Sequence, residues 1–304
     1  MLKVFIVVLN YKKWQDVVEC LGAIFRSTYN NYSVIVVDNN SGNNSLQHLM
    51  EWVDRSALSE YQYFERTAFQ SVNAESLSKL VFVQNDSNNG FAAGNNVVLN
   101  RLKGQDAYVW LVNPDMVVAE GALAALVDFA QPRPKETVTG VVIKYHSEPD
   151  KVYYFGGGRI NYNSATVTLI EKKEMIPQLE FISGGALFIH ADLLSRIGLL
   201  PEEYFLYWEE ADWCYRAGNA GCRMEVCLDA ICYDKVSTTI GRGFLADYYY
   251  SRNGLMFLSK YKSNKVWIAV FFASLRYLRR LVAGQRERAK GVYKGVMAFI
   301  KQPK

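Results

Sequence analysis

Tyr108-Val109-Trp110-Leu111-Val112-Asn113-Pro114-Asp115 decides the architecture. Its unbroken apolar run reads as a strand buried on both faces, the pattern of a parallel sheet covered by helices. Pro114 stops the ladder because it has no N–H to donate. Asp115 is thereby delivered just outside the carboxyl end of a strand, where open α/β sheets bind their ligands. A hard carboxylate there suits Mg²⁺ or Mn²⁺ and, through the ion, a phosphate.

Working outward, the same unit repeats on the N-terminal side. Strands are predicted at 4–9, 33–37 and 80–84, and helices at 14–27, from Ser45, and from the 88–96 segment to about Leu102. Residues 56–79 are polar with scattered aromatics and read as an insertion or irregular loop. This alternation implies a mainly parallel sheet with right-handed crossovers. On the C-terminal side the reading is a helix at 119–130, strands near 138–143, 152–155 and 166–170, and a Gly156-Gly157-Gly158 turn. A small-residue elbow at 181–189 follows, then a helix at 191–197 and an acidic segment at 207–213.

Composition supports a large packed core: 304 residues, of which 50% are hydrophobic. No early stretch has the layout of a signal peptide, and no apolar run reaches the ~18–20 residues that span a bilayer. The five cysteines are Cys20, Cys214, Cys222, Cys227 and Cys232. An odd number without a C-x₂-C pair favours buried reduced thiols over a disulfide framework or a zinc site. Charge is uneven. Residues 260–304 hold twelve Lys and Arg against one acid, a net +11, while 1–259 hold 22 against 29, a net −7.

Three strand ends gather chemistry on one edge of the sheet: Asn10-Tyr11, Asp38 and Asp115. Asp38 can accept hydrogen bonds from a base or ribose. The glycines of Gly90-Phe91-Ala92-Ala93-Gly94 allow backbone to approach a ligand closely, at a helix N-terminus whose N–H groups favour anions. The segment matches neither the phosphate loop ending in Gly-Lys-Ser/Thr nor the dinucleotide G-x-G-x-x-G pattern. Each feature alone also fits an ordinary turn. A second cluster, Tyr207-Trp208-Glu209-Glu210-Ala211-Asp212-Trp213, sets three carboxylates between aromatics. Acids at a helix start account for one or two of them. Burial beside rings raises a carboxyl pKa, which suits a general base.

In order along residues 4–260, these segments resemble the inverting glycosyltransferase family 2, of GT-A fold, and its rhamnosyltransferase-like members in particular. The matching pieces are Val7-Val8-Leu9-Asn10-Tyr11, Val36-Val37-Asp38-Asn39-Asn40-Ser41, Asn89-Gly90-Phe91-Ala92-Ala93-Gly94-Asn95-Asn96 and Leu111-Val112-Asn113-Pro114-Asp115. Ser183-Gly184-Gly185-Ala186, Phe205-Leu206-Tyr207-Trp208-Glu209-Glu210-Ala211-Asp212 and Tyr248-Tyr249-Tyr250-Ser251-Arg252-Asn253 complete the set.

The resemblance implies an α/β fold of Rossmann-like GT-A type, with a nucleotide-sugar-binding half at 1–117 and an acceptor half at 118–260; charge and amphipathic pattern mark a basic tail at 261–304. The resemblance also implies that Leu9, Asn10, Tyr11, Asp38, Asn40, Gly90, Asn96, Asn113 and Asp115 bind the nucleotide sugar, with Asp38 on the base and Asn113 facing the ribose. It implies that Asp115 holds a divalent cation, Mg²⁺ or Mn²⁺, and that Glu210 deprotonates the acceptor hydroxyl. Gly184, Gly185, Trp208, Glu209 and Asp212 would line the acceptor site. The chain departs from the family twice: Glu210 stands where Asp is usual, and Asp234 of Tyr233-Asp234-Lys235-Val236-Ser237 stands where His is common. Asp234 can ligate a hard cation as well.

The expected activity is transfer of a sugar, dTDP-L-rhamnose being one donor, to a glycan or lipid-linked acceptor in cell-surface polysaccharide synthesis. The alternatives are a nucleotide-sugar-binding protein with impaired catalysis and, less favoured because its basic Gly-rich signature is absent, a sugar nucleotidyltransferase. In the tail, the run from Val266 to Val282 reads as an interfacial helix for an anionic membrane, or as a helix packed on the domain with a solvated basic side. Nucleic acid is disfavoured, because no reading motif accompanies the charge. The expected location is cytoplasmic, peripheral on the inner face of the membrane.

Overall fold

A computed structural model of the chain describes residues 2–56, 60–235 and 243–301. Its elements begin β1 (Lys3–Asn10), α1 (Trp14–Ile24), β2 (Tyr32–Asp38), α2 (Ser45–Arg55), β3 (Gln62–Glu65), α3 (Arg66–Phe69), β4 (Leu80–Gln84), α4 (Gly90–Leu102), β5 (Ala107–Val112) and β6 (Met116–Val118). They continue with α5 (Ala122–Ala130), β7 (Thr137–Tyr145), β8 (Val152–Phe155), β9 (Gly157–Asn161), β10 (Thr166–Leu169), β11 (Phe181–Ile182), β12 (Ala186–His190) and α6 (Asp192–Arg196). The chain closes with α7 (Glu209–Asn219), β13 (Arg223–Asp234), α8 (Phe244–Tyr261), α9 (Val266–Val282) and α10 (Arg286–Ile300).

The central sheet runs β3-β4-β2-β1-β5-β12-β7-β13-β6, with β8 on β7. Its first five strands are mutually parallel. β12 is antiparallel to both neighbours, and β13 runs parallel to β7. Alternation along the strands builds two cores. Phe5, Val7, Val109 and Leu111 face a layer with α4 and α7. Val4, Ile6, Val8 and Trp110 face the layer of α1, α2 and α5. Both faces of β1, β2 and β5 are covered, which explains why their sequences are continuously apolar.

Three sequence readings change. Residues 56–79 include strand β3 and the short helix α3, and β3 extends the parallel sheet at its edge. Of the three glycines, only Gly156 turns, with φ +71°, while Gly157 and Gly158 open β9. The helix expected at 119–130 begins at Ala122, because Met116–Val118 pairs with β13 as β6.

The tail folds back on the domain. Among the described residues, no helix is long and apolar enough to cross a membrane. α10 lies against α8 so closely that a Cβ at Gly291 would overlap the Phe244 carbonyl oxygen, and one at Gly295 the Tyr248 carbonyl oxygen. Buried Asp247 on α8 clasps the pair of tail helices, with Arg280 at 2.6 Å from α9 and Arg288 at 2.8 Å from α10. On helix propensity alone, Gly295→Ala would stabilise by about 1 kcal/mol. The contact with backbone predicts the opposite sign, a loss of about 1–3 kcal/mol in urea unfolding; a gain would mean that α10 is not seated this tightly.

Candidate active site

The ends of the parallel strands open into a cleft of about 570 Å³. Leu9, Tyr11, Asn39, Asn88, Gly90, Asn113, Pro114, Asp115 and Asp234 form one side of its lining. Phe91, Phe205, Leu206, Tyr207, Leu245 and Tyr249 supply an apolar and aromatic wall. Of the residues expected to bind donor or metal, Leu9, Tyr11, Gly90, Asn113, Asp115 and Asp234 are therefore brought together.

Asp115 and Asp234 come from distant parts of the sequence. β13 is antiparallel to β6 with Asp234 opposite Met116, and the Lys235 N–H lies 3.3 Å from the Asp115 carbonyl. Lys235 is tied down by α1 through Asp16 at 2.8 Å and Glu19 at 2.5 Å, which fixes the end of β13. Val236 and Ser237 of the expected motif lie outside the described residues. Among the described residues, no group of three or more His, Cys, Asp or Glu is gathered as a metal site. Two hard carboxylates facing one cleft nevertheless fit a divalent ion that takes one or two carboxylates and completes its shell with phosphate oxygens and water. The five cysteines are all buried and free, and burial pushes their thiols upward.

Several motif residues hold the protein rather than line the cleft. The buried Asp38 carboxylate accepts hydrogen bonds from Asn10 Nδ2 and Ser41 Oγ (both 2.6 Å), Ser41 N (2.9 Å) and Gln84 Nε2 (3.2 Å). This orders the turn that presents Asn39, whose Nδ2 donates to Asn88 Oδ1 and the Gly90 carbonyl. Asn40 donates to the Asp86 carbonyl at the exposed edge. Asn96 Nδ2 donates to the Leu200 carbonyl and to Glu202, both at 2.8 Å, joining α4 to the loop before α7. The glycines of α4 also serve internal contacts. A Cβ on Gly90, at φ +95°, would overlap the Phe205 carbonyl, and one on Gly94 would overlap Leu9. Two amides expected to favour an anion are spent inside the protein: Gly90 N donates to Asn88 Oδ1 and Phe91 N to the Phe205 carbonyl at 2.7 Å.

The acidic cluster begins α7. Asp212 is fully buried and accepts from Tyr204 Oη (2.8 Å), Arg216 Nε (2.9 Å), Lys260 Nζ (3.0 Å) and Tyr261 Oη (3.1 Å), so its role is to fasten α7 to α8. Trp208 and Glu209 are buried as well. Among the described residues, one carboxylate oxygen of Glu209 and one of Glu210 have no hydrogen-bond partner. Burial raises both acids, and the neighbouring Glu210 charge pushes Glu209 further. The two carboxyls face burial as well as each other's charge, so both are held above the ordinary carboxylate range. Gly184 packs closely beside Glu210: a Cβ there would come within 3.4 Å of Glu210 Cβ and 3.2 Å of the Phe91 ring. Gly185 does the same beside Asn113 Nδ2.

One residue named only within its motif proves central. Phe205, Tyr207 and Trp208 all have positive φ (65°, 65° and 80°), a costly backbone for side chains of this size. Fully buried Asn253 holds the segment by donating from one amide to the carbonyls of Tyr204 (2.8 Å), Leu206 (2.7 Å) and Tyr207 (2.9 Å). Arg252 fixes that amide by donating to Asn253 Oδ1 at 2.8 Å.

The mainly parallel sheet flanked by helices, with a cleft at its strand ends, is a GT-A glycosyltransferase fold. The sequence profile of glycosyl transferase family 2 matches residues 4–198, and the chain belongs to that family. It is 21% identical over 245 residues to the low-salt glycan biosynthesis hexosyltransferase Agl10 of Haloferax volcanii, covering 77% of this chain and 68% of that one. The fold is similar to that of the mannosyltransferase PcManGT from Pyrobaculum calidifontis, solved with GDP-Man and Mn²⁺ (17% identity, TM-score 0.58, 99% of this chain and 81% of that one). It is also similar to S. aureus TarS (17%, TM-score 0.54), where 89% of this chain spans 42% of the TarS chain.

Replacing Asn253 with Ala removes the clamp while leaving Leu9, Tyr11, Asn113 and Asp115 on the opposite side of the cleft in place. Turnover is expected to fall about a hundredfold, the scale of a misplaced reacting group. Nucleotide affinity measured by calorimetry should stay within about twofold; a parallel loss of both would mean that Asn253 acts on the fold as a whole.

Proposed function

We propose that this chain is an inverting hexosyltransferase that moves a sugar from a nucleoside-diphosphate donor to a hydroxyl of a glycan or lipid-linked acceptor in cell-surface polysaccharide assembly. One observation carries the reading. The cleft sets two carboxylates against an aromatic wall, and an under-bonded Glu210 stands in the first turn of the helix that follows that wall.

In this reading the donor lies over the ends of β1 and β5, with Leu9, Tyr11 and Asn39 around the nucleoside and Asn113 at the ribose. Asp38 supports this side by holding the turn of Asn39. A divalent ion held by Asp115 and Asp234 would offset the charge of the diphosphate when bound. The acceptor sugar stacks on the wall of Phe205, Tyr207 and Tyr249, where Phe205 and Tyr249 already stack at 4.9 Å. Glu210 takes the proton of the acceptor hydroxyl, and that oxygen attacks the anomeric carbon from the face opposite the diphosphate. The bond from carbon to the phosphate oxygen breaks, the nucleoside diphosphate leaves with the electron pair, and configuration inverts. Because Gly184 has no side chain, the Phe91 ring and the Glu210 Cβ can both pack close to its backbone.

For the donor, the sequence resemblance favours dTDP-L-rhamnose. GDP-Man and UDP-GlcNAc, bound by the similar structures, are the comparators. A panel of nucleotide sugars assayed with and without Mn²⁺ decides among them. Binding without transfer to any acceptor would instead favour a sugar-binding protein with impaired catalysis, the reading suggested by Asp234 in place of His.

Glu210→Gln is expected to lower transfer by about 10²–10⁴-fold with donor binding retained. Asp115→Ala is expected to weaken metal-dependent donor binding, read by calorimetry with Mn²⁺. Near-normal turnover in either variant refutes its role. The pH profile follows from the raised Glu210 carboxyl. As pH falls through a value above the ordinary 4.5, the base is protonated and the rate drops. Stability runs the other way: a carboxyl raised in the folded state stabilises below its unfolded pKa, and this is lost as pH rises through the folded value. Glu210→Gln should therefore raise the melting temperature at neutral pH while removing activity.

A further inference from the structure

Helix α9 has its amphipathic faces reversed for an element that ends in water. Its inner side carries Ala269 and Ala273, both buried, together with two arginines. Arg276 donates to Ser251 Oγ at 3.1 Å and lies over the Tyr250 ring, and Arg280 pairs with Asp247. The large apolar side chains point outward: Trp267 is 73% exposed, Phe271 60% and Val282 91%. With Leu278 these recur at helical spacing along one stripe, flanked by exposed Ile268, Phe272 and Leu281. A stripe of this kind is not a core face, and monomeric soluble proteins rarely leave so much contiguous apolar surface uncovered.

The rim identifies the occupant. Arg279 on α9 and Arg286, Lys290, Lys294 and Lys301 along α10 and its end are exposed, and Glu287 is the one acid in 262–304. A second copy laid on the same face would bring two cationic rims together. An anionic bilayer accepts both features, the aromatic and aliphatic side chains in its interfacial layer and the cations at its headgroups. We infer that the α9–α10 face docks on an anionic lipid surface, with Trp267, Phe271, Leu278 and Val282 entering the interface. α8 gives this a direction. It sends Leu245 and Tyr249 into the cleft and takes α10 on another side, so a lipid-linked acceptor reaches the aromatic wall from the membrane. That last step rests on the proposed function; the docking itself does not.

The test is flotation of the full chain with vesicles of phosphatidylcholine containing or lacking phosphatidylglycerol. The chain should float with the anionic vesicles and be released by salt. The double variant Trp267→Glu/Phe271→Glu should reduce the floating fraction about tenfold or more, with melting temperature and nucleoside-diphosphate binding unchanged. Arg279→Gln and Lys290→Gln should each lower partition up to about fivefold, and only on anionic vesicles. Failure of the full chain to float, or equal flotation of the double variant, overturns the inference. A dimer that the double variant dissociates, with no flotation, assigns the face to a second copy and overturns it too. Flotation by a chain that binds no nucleotide sugar upholds the docking and refutes the reading of the cleft.

Discussion

The Phe91 N–H at the start of α4 donates to the Phe205 carbonyl at 2.7 Å, and this bond depends on Gly90 having no side chain. It joins the parallel-strand half of the molecule to the segment that leads into α7. That segment is strained, with three large residues at positive φ, and it keeps its shape because Asn253 ties three of its carbonyls from α8. Asn96 adds a second tie through Leu200 and Glu202. The position of Glu210 against the parallel-strand half is thus set by buried amides on α4 and α8, and less by the cleft residues themselves.

Much of the first half could be read from sequence because burial on both faces leaves a simple mark. The strand at 80–84 agrees with its structural limits, and β5 begins one residue early. β3 is four residues long with alternating exposure, so its pattern does not stand out from a polar loop. β13 leaves no clear strand pattern in the sequence, because its register shifts between Cys227 and Ile231 and breaks the period of two. The site was legible as a set of fixed positions, but not as contacts. Asp38, Asn96 and Asp212 are all buried polar residues whose hydrogen bonds stay inside the protein. A motif shows that such a residue matters to the local shape; only packing shows whether it faces ligand or neighbour. Leu245 and Tyr249 reach the cleft through the tertiary packing of α8, which local sequence does not encode.

The two adjacent glutamates illustrate how chemistry competes with stability here. Backbone N–H groups at the start of α7 lower the Glu210 carboxyl, yet burial outweighs them and the net direction is upward. An oxygen without a partner at such a depth costs folding energy, of the order of 1–3 kcal/mol for a polar group. Asp212, two positions on, shows that the same helix can satisfy a buried carboxylate completely, with four donors. The contrast within one turn separates the carboxylate that holds α7 from neighbours that each keep an oxygen without a hydrogen-bond partner among the described residues.

The clasp around Asp247 bears on where this chain could be divided. A cut after α8 looks natural in the sequence, since charge and composition change there. In the folded protein it would strip the Phe244 and Tyr248 turns of the helix that covers them, and leave a buried carboxylate facing the places of Arg280 and Arg288. The helix so exposed is the one that carries Asn253. A shortened protein would therefore carry its damage from the far side of α8 into the strained segment before α7, so the basic arm is a structural part of the aromatic wall of the cleft.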